Sequence, residues 1–105
     1  MLGAAESAVR VLDGHSAVEL ERTEVLALAV SHAVEIVGEA ASRVSRAFCE
    51  AHPEIPWSEV TGMRHRIVHD YFAVDYRRLW DTVRGDLPPL IAQLQRLLAE
   101  ADGAE

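Results

Sequence analysis

The segment Arg64-His65-Arg66-Ile67-Val68-His69-Asp70-Tyr71 places two imidazoles, two guanidinium groups, a carboxylate and a phenol within eight consecutive residues. Such groups are costly to bury, so the segment is either a solvated helix face with ordinary ion pairs, which contribute little, or a reaction site. The reaction these groups suit is RNA cleavage without a metal ion, in which the ribose 2′-hydroxyl attacks the neighbouring phosphate. That step needs an acid or base titrating near neutral pH and a fixed cation for the developing charge. Imidazole, with a reference pKa of about 6.5, supplies the first. Guanidinium, which forms forked hydrogen bonds to phosphate oxygens, supplies the second. His69 is the candidate acid or base and Arg64 the candidate phosphate clamp.

Five residues turn a helix through about 500 degrees, so Arg64 and His69 do not share one line of the cylinder. A long arginine side chain can still converge on a common cleft. One chain offers one His69, whereas acid and base acting together need two groups. A two-fold dimer would oppose two copies of the segment across a groove and supply both. A metal site competes for the same residues, because His65 and His69 have the i, i+4 spacing of paired zinc ligands. No glutamate follows His65, no third ligand is evident, and Arg64 and Arg66 repel a cation. No metal and no cofactor are therefore expected.

The elements that position the segment are helical. Leu2, Ala5, Val9 and Leu12 recur at helical spacing until Asp13-Gly14, and Ser16 with Glu19 reads as a capping box opening a short helix. Leu26, Val30, Ala33, Val37, Ala40, Val44 and Phe48 predict one long helix from about Thr23 to Ala51, with Gly38 marking a close helix crossing. His52-Pro53-Glu54-Ile55-Pro56 breaks it. A short helix from Trp57 to about His69 follows. Another is capped near Asp75, runs through Trp80 and Val83, and is interrupted at Gly85. The last starts near Asp86 and buries Leu87, Leu90, Ile91, Leu94, Leu97 and Leu98. No stretch alternates with strand period. The expected fold is all-α, an antiparallel bundle of four main helices and one short one in a single domain, 1–105.

The chain has 105 residues, half of them apolar, with 17 acidic against 10 basic residues, every basic one an arginine. That balance argues against tight, non-specific binding to a nucleic-acid backbone. It leaves room for an enzyme that gathers a few arginines in one cleft. A lone cysteine, Cys49, excludes an internal disulfide and a multi-cysteine metal site, and its helical spacing makes it a packing residue. No stretch looks long enough to span a membrane and the N-terminus lacks a signal-peptide layout, so no membrane partner and a cytoplasmic location are expected. Trp57, Met63 and Trp80 are expected in the core or an interface rather than as base-stacking platforms. His15 and His32 are ordinary polar residues.

The run Trp57-x5-Met63-Arg64-His65-x3-His69-Asp70-Tyr71-Phe72-x-Val74-Asp75, then Trp80 and Asp86-Leu87-Pro88-x-Leu90, with Glu35-Ile36-Val37-Gly38-Glu39-Ala40-Ala41 upstream, resembles the HepT-like branch of the HEPN superfamily. The resemblance implies a dimeric, metal-independent endoribonuclease with RNA as substrate. It would be the toxin of a type VII-like toxin-antitoxin pair, and its antitoxin a small MntA-like nucleotidyltransferase. It further implies that Arg64 and His69 are the catalytic pair and that Tyr71, completing Arg-x4-His-x-Tyr, is the residue the antitoxin adenylylates, adding charge that would repel substrate. A tyrosine packed with its hydroxyl at the rim is the plainer account of Tyr71. The position after the motif arginine is most often asparagine in this branch and here is His65, which either supports the site by hydrogen bonds or titrates in it. Glu39 either orients Arg64 from the long helix or, like Glu35, makes an ordinary ion pair. The alternative function is a non-catalytic helical partner or substrate subunit of a minimal nucleotidyltransferase.

Overall fold

The computed structural model describes residues 1–67 and 74–103. Among them there is no β-strand. Helix α1 (Leu2–Leu12) is followed by α2 (Ala17–Arg22), α3 (Glu24–Ser42), α4 (Arg46–Ala51), α5 (Trp57–Thr61), α6 (Met63–Ile67), α7 (Tyr76–Asp81), a π-helical turn (Thr82–Asp86) and α8 (Leu87–Gly103). The all-α expectation holds. The helix after α1 is opened by the Ser16 hydroxyl, which accepts from the Glu19 N–H at 3.1 Å. The Glu19 carboxylate meets His15 Nδ1 at 2.7 Å.

The long helix expected from Thr23 to Ala51 is two helices. Ser42 donates its hydroxyl to the Glu39 carbonyl at 2.6 Å, a local bond of the kind that competes with the helical ladder. Ser45 takes an extended conformation and accepts from the Phe48 N–H at 3.1 Å, starting α4 afresh in a new direction. The heptad-like pattern through Val44 and Phe48 therefore does not reach the core. Val44 and Cys49 are half-buried, Phe48 is 42% exposed, and α4 buries no side chain.

The interruption expected at Gly85 is a widened turn inside one continuous rod. Pro88 and Pro89 have no N–H to return to the carbonyls four residues earlier, and the Leu87 N–H reaches back to the Thr82 carbonyl. The added residue keeps Leu79, Val83, Leu87, Leu90 and Leu94 on the buried side throughout. Leu98, expected in that core, is exposed.

Helix α3 is the spine. Ala5, Ala8 and Leu12 of α1 and Val30, Val34 and Val37 of α3 are fully buried in one core with the α7–α8 rod. At 19 residues and mean hydropathy 1.4, α3 is long and apolar enough to cross a membrane by length and composition alone, which corrects the expectation that no stretch is. Here it serves as a core helix. The molecule measures 47 × 28 × 17 Å. With helix axes 8–10 Å apart, its thin dimension is about two helices deep, so the described residues do not cover α3 on every side.

Candidate functional site

Helices α5 and α6 run antiparallel to α3, with a near-helical turn at Gly62 between them. Val60, Met63 and Ile67 anchor them in the core at helical spacing. That anchoring turns Thr61, Arg64 and His65 toward the groove beside α3. Gly38 lets the helices approach: a β-carbon there would stand 3.4 Å from both the Val60 and Thr61 carbonyl oxygens. A methyl group would just be tolerated and anything larger would not, which refines the close crossing expected from the sequence.

One turn from Gly38, Arg64 Nε meets Glu35 Oε1 at 3.3 Å, the two side chains being 59% and 47% exposed. This places the carboxylate beside Arg64 on Glu35. Glu39, which the sequence left between orienting Arg64 and making an ordinary ion pair, makes the ion pair, with Arg43 at 3.0 Å, one helical turn along the chain. The physical reason is direction: Glu39 lies past the Gly38 crossing, where an arginine on its own helix is the nearer cation. Glu39 still lines the same cleft, of about 220 Å³, with Glu35, Ser42, Thr61, Arg64 and His65, and Gly38 forms its floor.

A guanidinium has five donors, so a contact to one carboxylate leaves Arg64 able to grip a phosphate. The cleft is smaller than the roughly 300–1,000 Å³ that encloses a whole small ligand. It suits a phosphate group with its flanking parts outside. Because Glu35 and Glu39 offset Arg64 and Arg43, the cleft is close to neutral.

His65 is exposed and faces this cleft, in place for either of its expected roles. His69, Asp70 and Tyr71 lie outside the described residues. The two ends flanking that stretch meet, since the Asp75 N–H donates to the Ile67 carbonyl at 2.6 Å. The Asp75 carboxylate then caps α7 by accepting from the Arg78 N–H at 3.0 Å, as expected for a cap near that position.

Of the large side chains expected in core or interface, Met63 is buried and Trp57 and Trp80 are half-buried against the core. Trp80 lies beneath Arg84, whose guanidinium carbon is 5.4 Å from the ring centroid. Glu35 was visible in the sequence only as one of two carboxylates on one helix face. The choice between them depends on where α6 crosses, which no local pattern encodes.

Comparison with known proteins agrees with this architecture. The family model described as "Ribonuclease HepT-like" matches residues 1–97. "Putative RNase TTE0752" of Caldanaerobacter subterraneus subsp. tengcongensis is 34% identical over 93 residues, covering 89% of this chain and 83% of that protein. "Probable ribonuclease HepT" of Thermococcus cleftensis is 46% identical over 69 residues, covering 66% of this chain and 63% of that protein. No solved structure matches. The extent of these matches, across all the helices that build the cleft, shows that the chain belongs to the HepT-like ribonuclease family.

Proposed function

We propose that the protein is a metal-independent endoribonuclease that works as a homodimer. The observation that carries this is the exposed Arg64 guanidinium, held against Glu35 in a phosphate-sized cleft at the start of an Arg-x4-His motif. Arg64 grips the non-bridging phosphate oxygens and offsets the charge that grows on them in the transition state. His69 of one subunit accepts the proton of the 2′-hydroxyl as its oxygen bonds to phosphorus. His69 of the partner subunit protonates the departing 5′-oxygen as the phosphorus–oxygen bond breaks. The products are a 2′,3′-cyclic phosphate and a 5′-hydroxyl. The guanidinium supplies the positive charge a metal would otherwise bring.

Support for a dimer comes from α3. Val25, Leu28 and Ile36 are 76%, 62% and 42% exposed, and with His32 they form a stripe at helical spacing that continues into Glu35 and Glu39. Apolar residues aligned in this way on a thin, 105-residue molecule favour a second copy. Apposing two such stripes would bring two clefts to one groove.

The same family membership motivates the biological role. The protein acts in the cytoplasm as a toxin of a type VII-like pair, and a small nucleotidyltransferase antitoxin silences it by adenylylating Tyr71.

The deciding experiment is cleavage of RNA by the purified protein in excess chelator. Activity that survives chelation and is lost in both His69→Ala and Arg64→Ala, with the oligomeric state unchanged, is the expected result. Undiminished cleavage by the His69→Ala protein would overturn the mechanism. Adenylate on Tyr71 of the co-expressed pair, with no cleavage by the unmodified protein, would instead favour a non-catalytic substrate subunit.

A further inference from the structure

Past the end of the cleft at Ser42 and Thr61 lies a surface that the reaction above leaves unused. Phe48 projects from α4 with its ring exposed. Its centroid is 4.4 Å from the His52 ring at an interplanar angle of 43°, and 6.1 Å from Trp57, which meets it edge-on at 75°. The Trp57 indole N–H donates to the His52 carbonyl at 3.0 Å. That bond fixes the indole and satisfies its polar atom, so the three rings form a preset shelf with Phe48 as its open member.

The position of the shelf follows from the helix register. Glu35 lies opposite Arg64 and Gly38 opposite Thr61, so the antiparallel pairing carried one turn further sets Ser42 beside the start of α5, where Trp57 stands. Trp57, Thr61 and Arg64 are spaced by four and three residues, which puts them on one side of the α5–α6 run. Seven residues of helix rise roughly 10 Å. The cleft itself holds a phosphate and not a nucleotide, so the neighbouring nucleotide of a bound strand lies outside it, and this line is one path open to it.

We propose that Phe48, backed by His52 and Trp57, is a stacking subsite for an unpaired base flanking the phosphate that Arg64 holds. The proposal rests on the ribonuclease function above and adds to it a preference for single-stranded RNA. A base stacks on any exposed aromatic face with little regard to sequence. The surroundings favour a base over a protein partner. Phe48 is the one large hydrophobic residue of α4 that is exposed, a single ring beside the His52–Glu54 pair, unlike the extended stripe on α3. Arg43, which pairs with the cleft residue Glu39, is well exposed at the end of the cleft nearest α4.

The test uses the full chain carrying His69→Ala, so that RNA is bound but not cut, and a labelled single-stranded oligoribonucleotide read by fluorescence anisotropy. Phe48→Ala is expected to weaken Kd about tenfold, within the range measured for base–aromatic stacking. Phe48→Tyr is expected to retain the parental affinity, and an oligonucleotide with abasic sites to bind both forms equally weakly. Equal affinity of Phe48→Ala and parent for the base-bearing strand would overturn the proposal, as would an equal loss on the abasic strand. A change of oligomeric state in sedimentation with Kd unchanged would assign the shelf to a protein contact and also overturn it. Failure of the wild-type chain to cleave or bind RNA at all would remove the ribonuclease function and the subsite together. Cleavage by wild type with binding indifferent to Phe48 would remove the subsite alone.

Discussion

Arg64 on α6 and Glu35 on α3 are joined by a 3.3 Å ion pair that spans the candidate cleft. Both side chains are about half exposed, so the pair adds little to stability, on the order of 1 kcal/mol or less. Its consequence is directional. It ties a flexible side chain to the one helix whose position the core fixes most firmly. Glu35→Gln is expected to lower kcat for RNA cleavage about tenfold, equivalent to about 1.4 kcal/mol of transition-state stabilisation, with the melting temperature nearly unchanged. Glu39→Gln is expected to stay within about twofold of wild type, because Glu39 engages Arg43. Steady-state kinetics on the two variants side by side checks the assignment. A larger defect in the Glu39 variant would reverse it.

The exposed stripe on α3 yields a prediction about assembly. Leu28 is largely exposed, so a charge there costs the isolated fold little but is severely unfavourable in an apolar interface. Leu28→Glu is expected to give a folded monomer by analytical ultracentrifugation and circular dichroism. It should also lose RNA cleavage, because the proposed mechanism needs His69 from two subunits and a monomer supplies one. A Leu28→Glu protein that stays dimeric would place the interface elsewhere.

Gly38 sets the spacing of α3 from α5. Alanine there gains helix propensity of about 1 kcal/mol and must be fitted at 3.4 Å from two carbonyl oxygens, so Gly38→Ala is expected to shift stability by less than about 1 kcal/mol. Gly38→Leu has no such room and should cost about 1–3 kcal/mol, as overpacking does. It should also part Glu35 from Arg64. Thermal melts of both variants, with cleavage assays, separate the stability effect from the loss of the pair.

The His15–Glu19 contact carries a pH signature. The hydrogen bond from His15, aided by its charge, holds the Glu19 carboxyl below the usual carboxylate range. A carboxyl whose folded-state pKa is depressed contributes stability above its unfolded-state pKa, and that contribution disappears as pH falls through the folded value. His15→Ala is therefore expected to move the Glu19 titration, followed by carboxyl NMR, upward toward the ordinary range. Because both side chains are about half exposed and the pair lies at the surface, the accompanying change in melting temperature should be small and confined to acid pH. An unmoved Glu19 titration would show that the contact does not persist in solution.

Much of this architecture is legible in the residues themselves. The periodicity of Leu26, Val30 and Val37 and of Leu87, Leu90 and Leu94, the Ser16 and Asp75 caps, and the break at Pro53 and Pro56 are all local. They determine that the chain is helical, where most helices begin, and that Arg64 and His65 ride on a short helix between two longer ones. The spacing from Arg64 to Tyr71 determines the chemistry to look for. What local pattern misjudged was set by competition between alternatives of similar energy. Two serine hydroxyls, at 42 and 45, outweighed the continuing apolar period and turned α4 out of the core, and that turn exposed Phe48. The missing N–H groups of Pro88 and Pro89 widened a turn without ending the rod. The partner of Arg64 was undetermined for a different reason. Glu35 and Glu39 are equivalent along α3, and only the antiparallel crossing at Gly38, a contact between residues more than twenty positions apart, brings one of them within reach.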